Sequence, residues 1–177
     1  RGLDQRHTIV LYSPEWHPGV IGIVASRLVE RYYKPTIMIS VESGIGRGSA
    51  RSIQSLHIYN VLEHLNELLV QYGGHKHAAG LTIREENIET FVRRFEEVVS
   101  ERLSPDDYRN ILEIDAILDL PRLTPELVVA LLQIEPFGMN NPEPNFLARD
   151  LVIKKQSVIN RSHLHWRLAA EGTSLQF

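Results

Sequence analysis

The chain has 177 residues, of which 43% are hydrophobic, with no cysteine and a net charge of -3. It is too apolar for a disordered protein and long enough to bury one good core or two small ones. The lack of cysteine excludes a disulfide framework and thiolate metal sites, and no signal-peptide or membrane-span pattern is present. We therefore expect a globular, soluble, cytoplasmic protein. Because the chain begins at Arg1 with a strand pattern almost at once, we interpret it as part of a longer protein.

Charge is distributed unevenly along the chain. Residues 43–84 contain two acidic residues against four lysines and arginines and four histidines. Residues 85–119 contain eleven acidic residues against four arginines, and the balance turns basic again after Phe146. The net charge argues against nucleic-acid binding through overall charge, so any such contact is expected in one of the two basic regions.

The first part of the chain alternates strand and helix patterns. Short β-branched apolar runs predict buried strands, and apolar residues at helical spacing from Val20 predict a helix that Pro35 ends. Ser55 and Asn87 are predicted helix caps. The predicted elements are a strand at 7–12, a helix at 20–33, a strand at 36–41, an extended segment at 47–53, a helix at 58–69, a strand at 81–83 and a helix from Asn87 to near Leu103. This order predicts an α/β domain with a parallel or mixed sheet and flanking helices.

A polar, proline-containing break at 104–107 is the predicted boundary between two domains, 1–103 and 104–177. The second domain is predicted to contain a strand at 111–120, a linker helix that ends at Ile134 and a loop at 135–145. Thr124 is the predicted cap of that helix and Pro125 its first residue. From Phe146 onward, strand patterns separated by turns predict an antiparallel meander, part of a small barrel that stops early.

The first candidate site is the segment G-R-G-S-A-R-S at 46–52. In a strand, Arg47, Ser49 and Arg51 project from one face, where two guanidinium forks and a hydroxyl suit a phosphodiester backbone. The glycines, including Gly48, permit close backbone approach, and Ser52 adds a second hydroxyl. A solvated edge strand after a turn would have the same pattern.

The second candidate is the segment G-G-H-K-H-A-A-G at 73–80. Small residues there let a ligand approach the backbone, while His75 and Lys76 can donate to an anion. The predicted anion-binding residues are Gly73, Gly74, His75, Lys76 and Gly80. A metal site at His75 and His77 lacks a nearby carboxylate or cysteine, so we expect no metal here. An ordinary glycine turn before a packed alanine segment is the structural alternative.

Weaker candidates lie elsewhere in the chain. His17 follows Trp16 in a loop before the first helix, where structural packing is an equal explanation. On a strand at 163–168, basic residues alternate with apolar ones, so one face suits a nucleic-acid backbone and Trp166 belongs to the core face. The candidates on this second module are Lys154, Lys155, His163, His165 and Arg167. No nucleophile triad, P-loop, dinucleotide fingerprint or aspartate cluster is present, so we predict no catalytic residue in this chain.

Four motifs together resemble the RecJ exonucleases, and they occur in that family's order. They are W-H-P-G-V-I-G-I-V-A-S-R-L at 16–28, G-R-G-S-A-R-S at 46–52, G-G-H-K-H-A-A-G at 73–80 and P-F-G-M-N-N-P-E-P at 136–144. The third motif is the signature of the DHHA1 domain, which also occurs in oligoribonuclease phosphoesterases and alanyl-tRNA synthetase. The first and last narrow the resemblance to RecJ. Asn140 stands where that family is expected to have glycine, which affects only the local turn.

The resemblance implies a 5′ to 3′ exonuclease that acts on single-stranded DNA in recombination and repair. It implies Mn²⁺ or Mg²⁺ bound by a preceding DHH domain, with no metal in this chain, and a DHHA1 domain that holds the strand. It places that grip at Arg47, Ser49, Arg51, Ser52 and His75, and it implies that an OB-fold guides the strand. The expected partners are single-stranded DNA and the protein's own DHH domain, with no membrane. Two alternatives stay open: a related phosphoesterase acting on short RNA or nucleotides, and a nucleic-acid-binding accessory module without nuclease activity.

Overall fold

A computed structural model of the chain describes residues 6–138, 140–160, 163–170 and 173–176. It forms two compact units, one ending at Asn110 and the other starting at Ile111, a little beyond the boundary predicted at 103. Within these ranges, no helix is both long and apolar enough to cross a bilayer.

The first unit is built on a five-stranded mixed sheet with the order β1-β2-β3-β5-β4. Only β1 and β2 are parallel, and all other neighbours are antiparallel. The strands are β1 (Ile9–Ser13), β2 (Thr36–Glu42), β3 (Ile45–Arg51), β4 (Leu69–Gly74) and β5 (Ala78–Arg84). The helices are α1 (Ile21–Tyr32), α2 (Ile58–His64) and α3 (Ile88–Arg102). The predicted α/β class with a mixed sheet and flanking helices is confirmed.

The main core lies between one face of this sheet and the helices α2 and α3. It contains Ile37 and Ile39 of β2, Leu81 of β5 and the stacked rings of Phe91 and Phe95 on α3. Burial of such side chains stabilises the unit by about 1.5–3 kcal/mol each. This face of the sheet is closed to any ligand.

The other face of the sheet is covered only in part. Helix α1 packs on it through Ile21 and Ala25, which contact Met38 of β2. The same face of β3, β5 and β4 is exposed or half-buried at Arg47, Thr82 and Gln71. The sheet therefore offers an open polar surface beside α1, which we call the shelf. It consists of this face of β3, β5 and β4, with Arg47, Ser49, Arg51, Gly80, Thr82, Gln71 and Gly73.

Several predicted elements differ from the structure. The helix predicted at 58–69 ends at His64, and a short 3₁₀ turn then leads into β4, which the sequence did not predict. Ser55 is not the cap of α2, because His57 occupies its N-cap. Asn87 occupies the N-cap of α3 as predicted, but its side chain makes no capping bond. The Asn87 amide instead donates to the Leu68 carbonyl at 3.2 Å, which ties the start of α3 to the start of β4.

The second unit carries a three-stranded antiparallel sheet and a separate strand pair. The sheet has the order β10-β9-β8, which confirms the predicted meander. Of the strand predicted at 111–120, only Ala116 and Ile117 pair as a strand, with Phe146 and Leu147. Thr124 caps α4 by accepting from the Leu127 amide at 3.3 Å, as predicted. The elements are β6 (Ala116–Ile117), α4 (Pro125–Leu132), β7 (Phe146–Leu147), β8 (Val152–Ile159), β9 (His163–Ala170) and β10 (Thr173–Gln176).

Candidate nucleic-acid interface

Strand β3 presents a row of polar side chains on the shelf. Because successive side chains of a strand alternate between its faces, Gly48 and Ala50 point into the core while Arg47, Ser49 and Arg51 point to the α1 side. Ser49 pairs with Met38, whose side chain packs under α1, and this pairing fixes the face. The structure therefore brings all three predicted residues to one surface.

The Arg51 side chain is held in place by its neighbours. Its Nε donates to Ser26 Oγ of α1 at 3.2 Å, and one terminal nitrogen donates to Ser49 Oγ at 3.0 Å. That nitrogen also donates to the Ala50 carbonyl at 2.9 Å. Gly22 of α1 leaves room for the guanidinium, because a Cβ there would lie 3.1 Å from its second terminal nitrogen. Because these partners are neutral hydroxyl and carbonyl groups, the Arg51 guanidinium keeps its net positive charge and can still bind an anion.

The Arg47 side chain is exposed and makes no hydrogen bond within the described part of the chain. In that part, no carboxylate lies within ion-pair distance of Arg47 or Arg51, since the ion pairs found involve other arginines. The two residues are four positions apart on a strand, so their Cα atoms are separated by roughly 13 Å. They are therefore suited to different phosphates rather than to the same one.

Two glycines form the floor of the shelf beside β3. Gly80 of β5 pairs with Ser49, and Gly73 of β4 pairs with Gly80. A Cβ on Gly73 would meet no atom within 4 Å, and one on Gly80 would meet only the Gly48 carbonyl at 3.9 Å. The fold does not require glycine at either position, and a side chain at either would stand in the open groove.

The fold itself requires glycine at the other two predicted positions, Gly48 and Gly74. A Cβ on Gly48 would lie 2.8 Å from the Leu81 side chain, inside the core. Gly74 has φ +148, and a Cβ there would lie 2.4 Å from the Ala78 carbonyl. Gly48 thus contributes to the shelf only through its backbone, and Gly74 permits the bend of the β4–β5 hairpin.

The predicted cations at 75 and 76 lie in that hairpin, at the Arg51 end of the shelf. The His75 amide donates to the carbonyl of Ala78, the residue that pairs with Arg51. The Lys76 carbonyl accepts from the Ile58 amide at 3.0 Å, which anchors the turn to the start of α2. Both side chains are exposed. The two glycine-containing motifs, far apart in sequence, therefore meet at one end of the sheet.

Ser52 lies just beyond β3 and has local partners. Its hydroxyl donates to the Leu56 carbonyl at 2.9 Å, and its amide donates to the His77 carbonyl at 3.0 Å. These bonds hold the turn after β3 against the hairpin. Ser52 therefore positions the hairpin next to Arg51, while its hydroxyl proton is already engaged.

The open groove on the shelf has a volume of about 400 Å³. Besides predicted residues, it is lined by Gln71 and Thr82, two polar side chains that the sequence interpretation missed, and by Tyr72 and Leu81, which pack on the core. Gln71 and Thr82 both lie on the row of Arg47, since Arg47 pairs with Thr82 and Thr82 pairs with Gln71. No local signal could have identified Gln71, because the predicted helix ended at Leu69 and no strand was predicted over residues 70–74.

His17 lies in the loop before α1, away from the glycine floor. Its Nδ1 accepts from the Gly19 amide at 3.0 Å, so it stabilises the turn into the helix. It also lines a second groove, of about 380 Å³, with Ser40 and Glu42 at the carboxyl ends of β1 and β2. Ser40 pairs with Arg47, so this groove adjoins the shelf.

In the second unit, the pairing of β8 with β9 gathers cations on one face. Lys155 pairs with Arg167, Ser157 with His165 and Ile159 with His163. Lys154 lies at the register shift of β8, so its direction differs from this row. Trp166 pairs with Gln156 on the opposite face and is 37% exposed. We call Lys155, His163, His165 and Arg167 the basic row.

Divalent metals in proteins are held by sets of carboxylate and imidazole ligands. In the ranges that the structure describes, no three histidine, aspartate or glutamate residues come together in a way that could hold such an ion. Neither the shelf nor the basic row therefore offers a ligand set for Mn²⁺ or Mg²⁺.

The DHHA1 domain model matches residues 5–101, more than half of the chain. The chain belongs to the DHHA1 family. A RecJ OB domain model matches residues 114–177. The shelf thus lies in the DHHA1 domain and the basic row in the OB match.

Curated relatives of this DHHA1 chain are single-stranded-DNA-specific exonucleases named RecJ. That of Bacillus subtilis is 34% identical over 178 residues, which cover 99% of this chain and 22% of the relative. That of Escherichia coli is 37% identical over 161 residues, covering 88% of this chain and 28% of the relative. The chain thus spans about a quarter of the length of these relatives, and the resemblance to RecJ is confirmed.

The crystal structure of RecJ from Thermus thermophilus in complex with Mn²⁺ superposes on this chain with a TM-score of 0.81 at 30% sequence identity. The match covers 98% of this chain and 25% of that one. A structure of the same protein with Mg²⁺ gives a TM-score of 0.78. The DHHA1 and OB units described above therefore have the fold of the corresponding part of RecJ.

Proposed function

We propose that the shelf grips the phosphodiester backbone of single-stranded DNA within a cytoplasmic 5′ to 3′ exonuclease of recombination and repair. One observation carries the proposal. Arg47 and Arg51, which form no ion pair with a carboxylate among the described residues, lie beside Gly73 and Gly80, two glycines that neither packing nor backbone conformation requires. A cationic row beside a floor without side chains suits an extended polyanion.

This grip is independent of base sequence, as an exonuclease requires, because phosphates recur at every step while bases vary. The backbone would follow β3, with one phosphate near Arg47 and another near Arg51. Ser49 lies between them and is placed to donate its hydroxyl to the linking unit. His75 and Lys76 extend the positive surface past Arg51 in the hairpin.

The basic row is proposed as a second contact with the same strand. Lys155 and Arg167 are paired across β8 and β9, and both side chains are exposed. Two cationic side chains side by side on adjacent strands suit contact with a phosphate backbone. Lys154 adds a positive charge nearby, and His163 and His165 add hydrogen-bonding groups. The RecJ OB match supports this assignment over an enzyme for short RNA or nucleotides, which has less need of a second strand contact.

Cleavage itself is assigned to residues outside this span. The RecJ structures with Mn²⁺ and Mg²⁺ support a divalent metal in the complete protein. The described residues here supply no ligand set for it, so the proposed holder is the protein's own DHH domain. On this view the chain binds DNA without cutting it. Hydrolysis assays on the complete protein with Mn²⁺, comparing 5′-ended single-stranded DNA, dinucleotides and aminoacyl-tRNA, separate this function from its rivals.

The proposed grip is tested by salt-dependent binding of a fluorescent single-stranded oligonucleotide. Each phosphate contact contributes about 0.7 to the slope of log affinity against log salt. Arg47→Ala and Arg51→Ala should therefore each lower the slope by about 0.7, and the double variant by about 1.4. Arg94→Ala is the matched control, because Arg94 lies on α3 and pairs with Glu97 at 3.5 Å. Unchanged slopes in both shelf variants would place the grip elsewhere.

A further inference from the structure

Strand β4 contains an irregularity next to the groove. Leu69 pairs with Ile83, but the next paired residue is Gln71, which lies opposite Thr82. Val70 is therefore an extra residue, a β-bulge, and its apolar side chain is 58% exposed. Bulges cost a ladder hydrogen bond and commonly redirect the side chains that follow them.

The bulge decides which side chain enters the groove. Leu69 and Tyr72 both pack against the core although they are three positions apart, which a regular strand does not allow. Without the shift, Val70 would oppose Thr82, and Gln71 would oppose Leu81 on the core face. With it, the Gln71 amide faces the shelf and both apolar neighbours keep their places in the core.

The side chains of Gln71 and Thr82 carry hydrogen-bonding groups that are available to a ligand. Gln71 is exposed and Thr82 half-buried, and neither side chain has a hydrogen-bond partner within the described residues. Both line the groove at the Arg47 end. The fold thus places an amide and a hydroxyl, each able to donate and accept, beside a cation proposed to hold a phosphate.

We propose that Gln71 and Thr82 form a nucleobase subsite, which holds the edge of the base attached next to the phosphate at Arg47. This inference rests on the proposed function. A backbone along β3 has α1 on one side, so its bases must lie on the other side, over Gly80 and Gly73. A base over that floor at the Arg47 end has its edge toward Gln71 and Thr82.

The chemistry of the pair predicts tolerance rather than sequence choice. A glutamine amide offers an acceptor and two donors on a rotatable group, and the threonine hydroxyl can turn its proton either way. The Watson–Crick edge of every base presents both donors and acceptors, so some pairing with the two side chains is available to each. Neither group is charged, so the subsite should add affinity without adding to the salt dependence.

The test compares a single-stranded oligonucleotide with an abasic strand of the same length and phosphate number. Gln71→Ala and Thr82→Val should each weaken binding of the normal strand about 2- to 10-fold, the range expected for one net hydrogen bond. They should leave binding of the abasic strand and both salt slopes unchanged. Gln54→Ala is the matched control, because Gln54 is an exposed glutamine of the turn after β3, outside the groove.

Each outcome separates the two proposals. Equal loss on normal and abasic strands would assign Gln71 to the backbone and overturn the base subsite, as would unchanged affinity for both strands. Salt-dependent binding that Arg47→Ala reduces and Gln71→Ala does not would keep the grip and remove the subsite. Salt-independent binding of the unaltered chain would overturn the grip itself.

Discussion

The distinction between structural and open glycines can be tested with a matched pair of substitutions, Gly48→Ala and Gly80→Ala. Gly48 of β3 pairs with Leu81, and Gly80 of β5 pairs with Ser49, so the two glycines are close neighbours in the sheet. A Cβ added to each would nevertheless meet different surroundings. At Gly48 it would press on Leu81 at 2.8 Å, and at Gly80 it would project into the groove with its nearest contact at 3.9 Å. Gly48→Ala should therefore lower stability without changing affinity, and Gly80→Ala should lower affinity without lowering stability.

The expected magnitudes follow from these contacts. Overpacking in a core costs about 1–3 kcal/mol, while the loss of glycine entropy in the unfolded chain returns about 0.4–1 kcal/mol. Gly48→Ala should therefore destabilise the first unit by about 1–2 kcal/mol and leave the affinity of the folded protein unchanged. Gly80→Ala should keep or slightly raise stability. Its methyl group would stand under the proposed base, shift the bound strand relative to β3 and cost one charge-assisted hydrogen bond to a phosphate, about 1.5–3 kcal/mol, or about tenfold or more in affinity.

Stability is measured by urea unfolding in a Trp166→Phe background, where Trp16 reports on the first unit alone. Affinity is measured by fluorescence anisotropy with single-stranded DNA at low salt, under conditions where each variant is folded. If Gly80→Ala binds as tightly as the parent, the glycine floor does not contact DNA. If Gly48→Ala is as stable as the parent, the assignment of the two faces of β3 is wrong.

Two further predictions concern Glu96, which binds the segment that leads into β1, and Tyr108. Glu96 accepts the His7 amide at 2.6 Å and the Thr8 amide at 2.9 Å, and its second oxygen also accepts the Thr8 hydroxyl at 2.5 Å. Glu96→Gln should lower the unfolding free energy in urea by about 1.5–3 kcal/mol, whereas the exposed Glu97→Gln should change it by less than about 0.5 kcal/mol. Burial, with the nearby Glu96 and Asp107 carboxylates, raises the pKa of Tyr108 to about 12. Since the unfolded phenol loses its proton first, this contribution to stability is complete below about pH 10 and is lost as the pH rises toward 12. Ultraviolet titration should show that Tyr108→Phe removes the tyrosine ionisation near pH 12, and an unchanged ionisation near pH 12 in that variant would refute the assignment.

The sequence predicted the layout of the first unit because its signals are local. β-branched runs marked β1 and β2, and apolar residues at helical spacing marked α1 and α3. The grouping of Arg47, Ser49 and Arg51 on one face also follows from strand alternation alone. The sequence could not show which strands are neighbours. That pairing decides whether a glycine is required by core packing or faces the open groove.

The wrong predictions share a physical cause, the competition of tertiary contacts with local ones. Leu62, Leu65 and Leu69 have helical spacing, but Leu69 packs on the core from a strand, so the helix stops earlier. Asn87 has the chemistry of a cap, but its side-chain amide donates to the Leu68 carbonyl instead of capping α3. The bulge at Val70 breaks the parity of β4, so alternation could not assign Gln71 to a face.

The open shelf is a consequence of chain topology. Only the parallel step from β1 to β2 needs a crossover on this face, and α1 supplies it, while the β2–β3 and β4–β5 links are hairpins and α2 and α3 pack on the core face. Strands are about 4.8 Å apart and a helix with its side chains is about 10 Å wide, so one helix covers about two strands. The remaining width, roughly 10 Å across β3, β5 and β4, would be a liability if it were apolar. Arg47, Gln71 and Thr82 with two bare glycines make it instead a polar channel that follows β3, open to one extended chain and bounded along one side by α1.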